Sequence, residues 1–177
     1  MRSLLSSHPS LTSKFRALIT ATTTRSFYTM STPTTFTHCV PADQPNGSKD
    51  VDDATWRTKL SAHEYFILRE KGTDARHGPL DKVFAPGDYF CAGCGTHLYT
   101  AGMKYDCGCG WPGFWDCVPG VVREQPDKDG RRTEIVCNLC NSHLGHVFRG
   151  EGFTNPPPNE RHCVNDTAVK FVPAESK

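Results

Sequence analysis

The sequence predicts a mainly β domain in which short antiparallel strands are joined by long irregular loops. From Val83 onward, short apolar runs alternate with clusters of Gly, Pro, Asn and Asp, a pattern typical of strands separated by turns. Only one stretch before that point has the spacing and capping residues of a helix. Two Cys-x-x-Cys pairs lie in the strand-rich region, which indicates that a metal stabilises the small, loop-rich core.

The helix is predicted at residues 61–71. Ser61 and Glu64 have the spacing of a capping box, in which each side chain accepts a hydrogen bond from the other residue's backbone N–H. Apolar side chains follow at helical spacing, and Gly72 stands where a C-terminal cap belongs.

Six strands are predicted after the helix. Each is a short apolar run bounded by turn residues. The strands are expected at residues 89–91, 121–124, 133–137, 146–149, 161–164 and 168–172.

The first forty residues differ in composition from the rest of the chain. The only charged residues before Asp43 are four basic ones, Arg2, Lys14, Arg16 and Arg25. Ser and Thr are abundant, and the apolar segment of a secretory signal is missing, so residues 1–40 are expected to be a mitochondrial transit peptide. A merely disordered tail is the alternative. A start at Met30 would give a cytosolic form. Residues 41–54 are predicted to be a linker to a domain at residues 55–175.

Composition excludes several classes of protein. The formal net charge of +1 gives no basic field that would attract nucleic acid. No apolar run approaches the roughly 20 residues that a membrane-spanning helix needs. We expect a monomer with neither nucleic acid nor membrane as a partner.

The nine cysteines are the most informative feature of the composition. An odd number argues against a complete set of internal disulfides, and two Cys-x-x-Cys turns can complete a tetrahedral site. One structural zinc is therefore expected on Cys91, Cys94, Cys137 and Cys140. Two separate redox pairs are an alternative. Another is two zinc ions, one held by Cys137, Cys140, His143 and His146, and one by Cys91, Cys94, Cys107 and Cys109.

Cys163 is the candidate reactive thiol. If residues 161–164 form a strand, alternation places Arg161, Cys163 and Asn165 on one face. A guanidinium beside a sulfur favours the reactive thiolate, and an amide can donate a hydrogen bond to a substrate oxygen. A buried structural cysteine beside an arginine is the alternative.

Two further segments carry candidate site residues. Cys109 lies in a glycine-rich loop that can bring a second thiol onto an oxidised first one, and Trp111 in the same loop can pack against a methyl or thioether group. His143 and His146 lie close together if Gly145 permits a turn. Imidazole can supply a proton near neutral pH.

Together these segments resemble a type B methionine sulfoxide reductase of the zinc-containing form. The resemblance covers about residues 55–175 and rests on several motifs in the family's order. They are Lys71-Gly72-Thr73, Cys91-Ala92-Gly93-Cys94-Gly95, Gly108-Cys109-Gly110-Trp111-Pro112, Arg132-Thr133-Glu134, His143-Leu144-Gly145-His146-Val147-Phe148 and Arg161-His162-Cys163-Val164-Asn165.

The resemblance implies two antiparallel sheets that form an open, barrel-like β-tent with a few short peripheral helices. It implies reduction of methionine (R)-S-oxide, free or in oxidised proteins. In that chemistry Cys163 attacks the sulfoxide and becomes a sulfenic acid, Cys109 condenses with it to a disulfide, and thioredoxin reduces the disulfide. His143, His146 and Asn165 would bind and protonate the sulfoxide oxygen. Arg161 would hold the thiolate, and Trp111 and Phe148 would line the substrate pocket.

The chain departs from the family's usual residues at several positions. Cys107 stands where Ser is usual, Gly113 where Ser or Ala is usual, and His162 where Tyr is common. Cys107 is two residues from Cys109, so it keeps a claim to the resolving role.

Two other classes of function are weighed against the enzyme. A zinc-anchored β module that binds a small ligand or peptide would need no pair of thiols such as Cys163 and Cys109. A zinc-ribbon module for nucleic acid would need a basic face, whereas residues 53–177 carry mixed charge.

Overall fold

The computed structural model describes residues 51–175. The predicted transit peptide, Met30, Cys39 and most of the predicted linker lie outside this range. The described part contains helices α1 (Asp53–Lys59) and α2 (Ala62–Leu68) and strands β1 (Gly87–Cys91), β2 (His97–Thr100), β3 (Lys104–Tyr105), β4 (Gly113–Phe114), β5 (Val122–Pro126), β6 (Thr133–Cys137), β7 (His143–Phe148), β8 (Arg161–Val164) and β9 (Val169–Pro173). Short 3-10 helices cover Ala101–Met103 and Asp166–Ala168. None of the helices between residues 51 and 175 is both long and apolar enough to cross a membrane.

Helix α2 confirms the predicted helix and its capping box. The Ser61 hydroxyl accepts from the Glu64 N–H, and the Glu64 carboxylate accepts from the Ser61 N–H. The helix ends earlier than predicted, and the left-handed residue of its C-terminal turn is Lys71, with φ 61°, rather than Gly72. Gly72 donates its N–H to the Phe66 carbonyl, and a Cβ there would lie 2.3 Å from the Phe66 ring, so this position needs glycine for space.

The strands form two antiparallel sheets, as predicted, and neither sheet closes into a barrel. The smaller sheet has the order β2-β1-β9 and the larger the order β3-β4-β8-β7-β6-β5. Aromatic side chains join the sheets: the Phe114 ring of the larger sheet stacks on Tyr99 at 4.1 Å between centroids and meets the edge of Tyr89 at 4.9 Å. All three side chains are fully buried.

The register of the larger sheet places the candidate residues in one row. Cys163 on β8 pairs with Gly113 on one side and with His146 on the other. His146 in turn pairs with Glu134, and Glu134 with Gln125. Because directly opposed residues of antiparallel strands project to the same face, the sheet carries the reactive sulfur, the imidazole and the carboxylate on one surface.

A β-bulge between β6 and β7 brings the two histidines onto the same face. His146 and Gly145 pair with consecutive residues of β6, but the next residue of β6, Val136, pairs with His143 instead of Leu144. The extra residue reverses the alternation of side chains along β7. The His143 and His146 rings therefore lie 5.6 Å apart between centroids. The predicted proximity is confirmed, but a bulge produces it, and Gly145 is not in a turn.

Candidate active site and metal centre

Three thiols meet at the surface of β8. Cys163 Sγ lies 3.4 Å from Cys109 Sγ, and Cys109 Sγ lies 3.1 Å from Cys107 Sγ. All three side chains are partly exposed, and all three cysteines are in the free thiol form. Cys109 is thus within reach of Cys163 without a large movement of its loop. Cys109 is the central thiol of the three, because its sulfur contacts both Cys163 and Cys107.

The glycine-rich loop positions these thiols by turning tightly. Gly108, between the two cysteines, has a φ of 70°, in the left-handed region that glycine adopts without strain. The carbonyl of Gly110 accepts a hydrogen bond of 2.6 Å from the His77 N–H, which attaches the loop to the segment after α2. A Cβ at Gly110 would lie 3.1 Å from the Arg76 side chain, so the attachment is close.

The thiol cluster favours a single negative charge. Hydrogen bonding with Cys109 and burial raise the pKa of Cys163. Hydrogen bonds from Cys107 and Cys163 lower the pKa of Cys109. The guanidinium of Arg161 favours the thiolate form of all three thiols, in the direction expected from the sequence, but at Cys107 and Cys163 it does not outweigh the hydrogen bond with Cys109 and burial. The negative charge is therefore favoured on Cys109, the central thiol, rather than on Cys163.

Arg161 is itself held by an acidic side chain and an aromatic ring. Its guanidinium donates to both carboxylate oxygens of Glu151, at 2.5 and 2.7 Å, and lies 4.0 Å above the Phe148 ring. The bidentate pair fixes the orientation of the guanidinium, because the planar fork of Arg matches a carboxylate. No role was predicted for Glu151 from the sequence.

His146 and His143 each have a carboxylate partner. His146 Nε2 is hydrogen-bonded to Asp127, and Asp127 is also paired with Arg132 at 3.2 Å. Burial lowers the pKa of His146, and the bond to Asp127 opposes this effect. His143 is buried, with Nδ1 2.7 Å from Glu134 Oε1.

Glu134 is the centre of a buried polar network. It also accepts from Lys71 Nζ at 2.6 Å and from Gln125 Nε2 at 2.8 Å. Burial alone would raise the pKa of Glu134, but the bonds from His143, Lys71 and Gln125 outweigh it and lower the pKa to about 2. A charged Glu134 thus fixes His143 and, through the contact between the rings, the position of His146.

A cavity of about 340 Å³ opens above Cys163. Its walls contain seven of the predicted site residues: Cys109, Trp111, His146, Phe148, Arg161, Cys163 and Asn165. Thr73, Arg76 and Arg132 complete the polar part of the wall.

The Arg76 guanidinium lies 5.0 Å from the Trp111 ring centroid, and Trp111 Nε1 donates to the Asp74 carbonyl at 3.0 Å. The aromatic side chains therefore have fixed orientations and leave apolar surface for a ligand.

Two predicted residues occupy positions different from those expected. His143 is not part of the cavity wall; it lies behind His146, against Glu134. Asn165 is in the wall, but its Oδ1 accepts from the Asp74 N–H at 2.9 Å and its Nδ2 donates to the Leu144 carbonyl at 3.2 Å. An amide nitrogen carries two N–H donors, so one donor of Asn165 is not used by the Leu144 carbonyl.

The four cysteines of the two Cys-x-x-Cys pairs form a second cluster. Within residues 51–175 they are the one group of His, Cys, Asp or Glu side chains arranged to hold a metal. The two turns are built alike. Gly95 and Asn141 both have positive φ and donate their N–H groups to the carbonyls of Cys91 and Cys137, at 2.8 and 2.9 Å. Since Cys91 ends β1 and Cys137 ends β6, the cluster links the two sheets.

The spacing of the sulfurs fits a tetrahedral metal ion. Cys91 Sγ and Cys140 Sγ are 3.7 Å apart, and Cys94 Sγ and Cys137 Sγ are 3.6 Å apart. A tetrahedron with Zn–S bonds of about 2.3 Å has edges of about 3.8 Å. The alternative of a mixed site with His143 and His146 does not match this arrangement, because both imidazoles are turned towards carboxylates.

Three acidic residues of the site were not predicted from the sequence. Asp127, Glu134 and Glu151 orient His146, His143 and Arg161, respectively. Glu134 was visible only as part of the Arg132-Thr133-Glu134 motif. One general expectation could have identified them: a buried or catalytic His or Arg side chain usually needs an acidic partner to hold its orientation.

Comparisons with known proteins identify the family. The profile of the SelR domain matches residues 60–173. Peptide methionine sulfoxide reductase B8 of Arabidopsis thaliana is 49% identical over 132 residues, which is 74% of this chain and 92% of the relative. Peptide methionine sulfoxide reductase B5 of Oryza sativa subsp. japonica is 50% identical over 130 residues, 73% of this chain and 95% of the relative. The chain contains a SelR domain and belongs to the peptide methionine sulfoxide reductase B family.

Proposed function

We propose that the chain reduces methionine (R)-S-oxide to methionine with Cys163 as the attacking thiol. The observation that carries the proposal is the position of Cys163. It lies in the wall of an aromatic-lined cavity, 3.4 Å from a second thiol and in the same row of the sheet as His146. A module that only binds a ligand has no need of this pair of thiols.

The first step transfers oxygen from the substrate to the enzyme. Cys163 attacks the sulfoxide sulfur in its thiolate form, which Arg161 stabilises against the effects of burial and of Cys109, while the S-methyl group packs against Trp111 and Phe148. The sulfur–oxygen bond of the substrate breaks and an S–O bond forms on Cys163, so the net products are methionine and a Cys163 sulfenic acid. Cys163 is oxidised by two electrons and the sulfoxide is reduced by two.

The departing oxygen needs a proton and a hydrogen-bond donor. His146 is in the cavity wall and would supply the proton, and the second N–H of Asn165 would donate to the oxygen. We place His143 behind His146 as a positioning residue, held by the charged Glu134.

The enzyme returns to its reduced form through a disulfide. Cys109 attacks the sulfenic acid, water leaves, and a Cys163–Cys109 disulfide forms. Thioredoxin would then reduce this disulfide by exchange, taking up the two oxidising equivalents. We propose oxidised proteins as the principal substrates of a monomeric enzyme, with free methionine (R)-sulfoxide as a second substrate.

We propose one structural zinc on Cys91, Cys94, Cys137 and Cys140. The zinc would cross-link the two sheets and take no part in the reaction, since four thiolates leave no coordination position for water or substrate.

One assay with matched variants tests the reaction. The purified chain should reduce methionine (R)-sulfoxide with either dithiothreitol or thioredoxin as reductant, and Cys163→Ser should abolish both activities. Cys109→Ser should retain turnover with dithiothreitol, which can reduce a sulfenic acid directly, and should lose turnover with thioredoxin. Activity that survives Cys163→Ser would refute the assignment of the nucleophile.

We also propose that residues 1–40 direct the protein to mitochondria and that a start at Met30 yields a cytosolic form. The support is the composition of this segment, which has four basic residues and no acidic ones. A reporter fused to residues 1–40 should enter mitochondria, and a reporter fused to residues 30–40 should stay in the cytosol. Retention of the first fusion in the cytosol would contradict the proposal.

A further inference from the structure

We propose that Cys107 is an exit thiol, which moves the disulfide from Cys163–Cys109 to Cys107–Cys109 and so frees Cys163 before any reductant arrives. The inference rests on the proposed function and concerns a residue to which that function gives no role. Its basis is the arrangement of the three thiols around a central Cys109.

Distance is the first support. Cys107 Sγ lies 3.1 Å from Cys109 Sγ, closer than Cys163 Sγ at 3.4 Å. Both contacts are within the reach of thiol–disulfide exchange once one thiol is a thiolate. Hydrogen bonding with Cys109 and burial raise the pKa of both outer thiols, and the Arg161 guanidinium opposes this effect at both, so its field covers Cys107 as well as Cys163.

The backbone supplies the second support. Residues two apart on an extended strand have Cα atoms roughly 6.6–7.2 Å apart, at or beyond the upper limit of the roughly 4.4–6.8 Å that a disulfide requires. The left-handed turn at Gly108 shortens the span and directs both thiols to the same side.

Space for the sulfur of Cys107 is the third support. A Cβ at Gly113 would lie 2.6 Å from Cys107 Sγ and 3.2 Å from the Tyr105 carbonyl oxygen. Gly113 faces Cys163 across the β4–β8 pair, so this one glycine creates room for a third thiol next to the reactive one.

The exchange is balanced without a further reagent. The Cys107 thiolate attacks Cys109 Sγ, the bond between Cys109 and Cys163 breaks, and Cys163 leaves as a thiolate that takes up the proton lost by Cys107. No net oxidation or reduction occurs. The disulfide now spans an exposed Gly108, where the thiol of a reductant protein can approach, and the substrate cavity regains its nucleophile.

An experiment without reductant on the full-length chain tests the order of the thiols. The reduced protein is mixed with excess methionine (R)-sulfoxide and no reductant, quenched with an alkylating agent, and mapped by mass spectrometry. We expect a Cys107–Cys109 disulfide, with about two equivalents of methionine per chain, because the released Cys163 reacts a second time. Cys107→Ser should give a Cys109–Cys163 disulfide and about one equivalent, because the exit step is missing.

A second pair of variants leaves all thiols in place. One variant fills the space next to Cys107, and the other adds the same methyl group elsewhere. Gly113→Ala should move the disulfide back towards Cys109–Cys163. Gly102→Ala, where the nearest atom to the added Cβ is 3.7 Å away, should behave as the unmodified chain. This pair distinguishes the exit role from an effect of merely losing one thiol.

Each result has a defined meaning. A Cys109–Cys163 or Cys107–Cys163 disulfide in the unmodified chain would overturn the exit role, as would a Cys107→Ser variant that forms no disulfide. The proposed function fails by a separate result, which is the absence of methionine release with dithiothreitol.

Discussion

Replacement of Glu134 by Gln tests the buried network behind the histidines. The Glu134 side chain is 1% exposed and accepts from His143, Lys71 and Gln125 at 2.6–2.8 Å. Its pKa falls from an ordinary value of 4.5 to about 2. A difference of about 2.5 pH units, at about 1.4 kcal/mol each, corresponds to about 3.5 kcal/mol of folding free energy.

The sign follows from the direction of the pKa. Because the folded state holds Glu134 ionised below the pKa of the unfolded chain, the contribution is complete above about pH 4.5 and is lost as the pH falls towards about 2. Glu134→Gln should therefore lower the free energy of unfolding by about 3.5 kcal/mol at pH 7, and by about 1.5 kcal/mol at pH 3.

Urea denaturation at pH 7, 5 and 3 measures this difference. Metal loss at acid pH affects both proteins, so only the difference between them is compared. Glu124→Gln is the control, because Glu124 lies on the neighbouring strand and pairs with the partly exposed Arg149, a contact expected to contribute about 1 kcal/mol or less. A Glu134→Gln effect that is the same at pH 7 and pH 3 would refute the electrostatic argument.

Three further predictions concern the proton donor, the sheet and the metal. Asp127→Asn removes the carboxylate that raises the pKa of His146, so the pH above which kcat/KM declines should move lower; an unchanged pH profile would exclude His146 as the proton donor. Gly145→Ala should destabilise the fold by about 3 kcal/mol in urea denaturation, since the added Cβ would lie 1.9 Å from a backbone carbonyl oxygen of β8. Gly102→Ala is the control, and equal stability of the two variants would contradict the close approach of the two strands at Gly145. Elemental analysis should find one zinc per chain and none after Cys137→Ser, which should also abolish cooperative unfolding; two zinc ions would contradict the single site.

Much of the architecture can be predicted because local patterns specify it. The capping box of Ser61 and Glu64 and the apolar runs at 133–137 and 161–164 coincide with the observed helix start and with strands β6 and β8. Strands β2, β3 and β4 were missed, because β2 has four residues and β3 and β4 have two each, too few to show periodicity. Helix α1 was also missed, and it begins at Asp53, inside the last residues of the predicted linker.

The site shows the same division between local and distant information. Spacing alone indicated the four cysteines of the metal cluster, and strand alternation placed Arg161, Cys163 and Asn165 on one face, as the cavity wall confirms. Sequence could not place His143 behind His146, because a bulge in β7 sets that relation. It could not reveal the bond between Lys71 and Glu134 either, since the partners are 63 positions apart.

Trapping the oxidised thiol is the most direct test of the central claim. A variant with Cys107→Ser and Cys109→Ser is mixed with methionine (R)-sulfoxide in the presence of a sulfenic-acid reagent, and the labelled peptide is identified by mass spectrometry. The mechanism predicts one adduct, on Cys163, formed together with methionine and only with the (R) isomer. Methionine release with Cys163 unlabelled and still alkylatable, or an adduct on another cysteine, would contradict it.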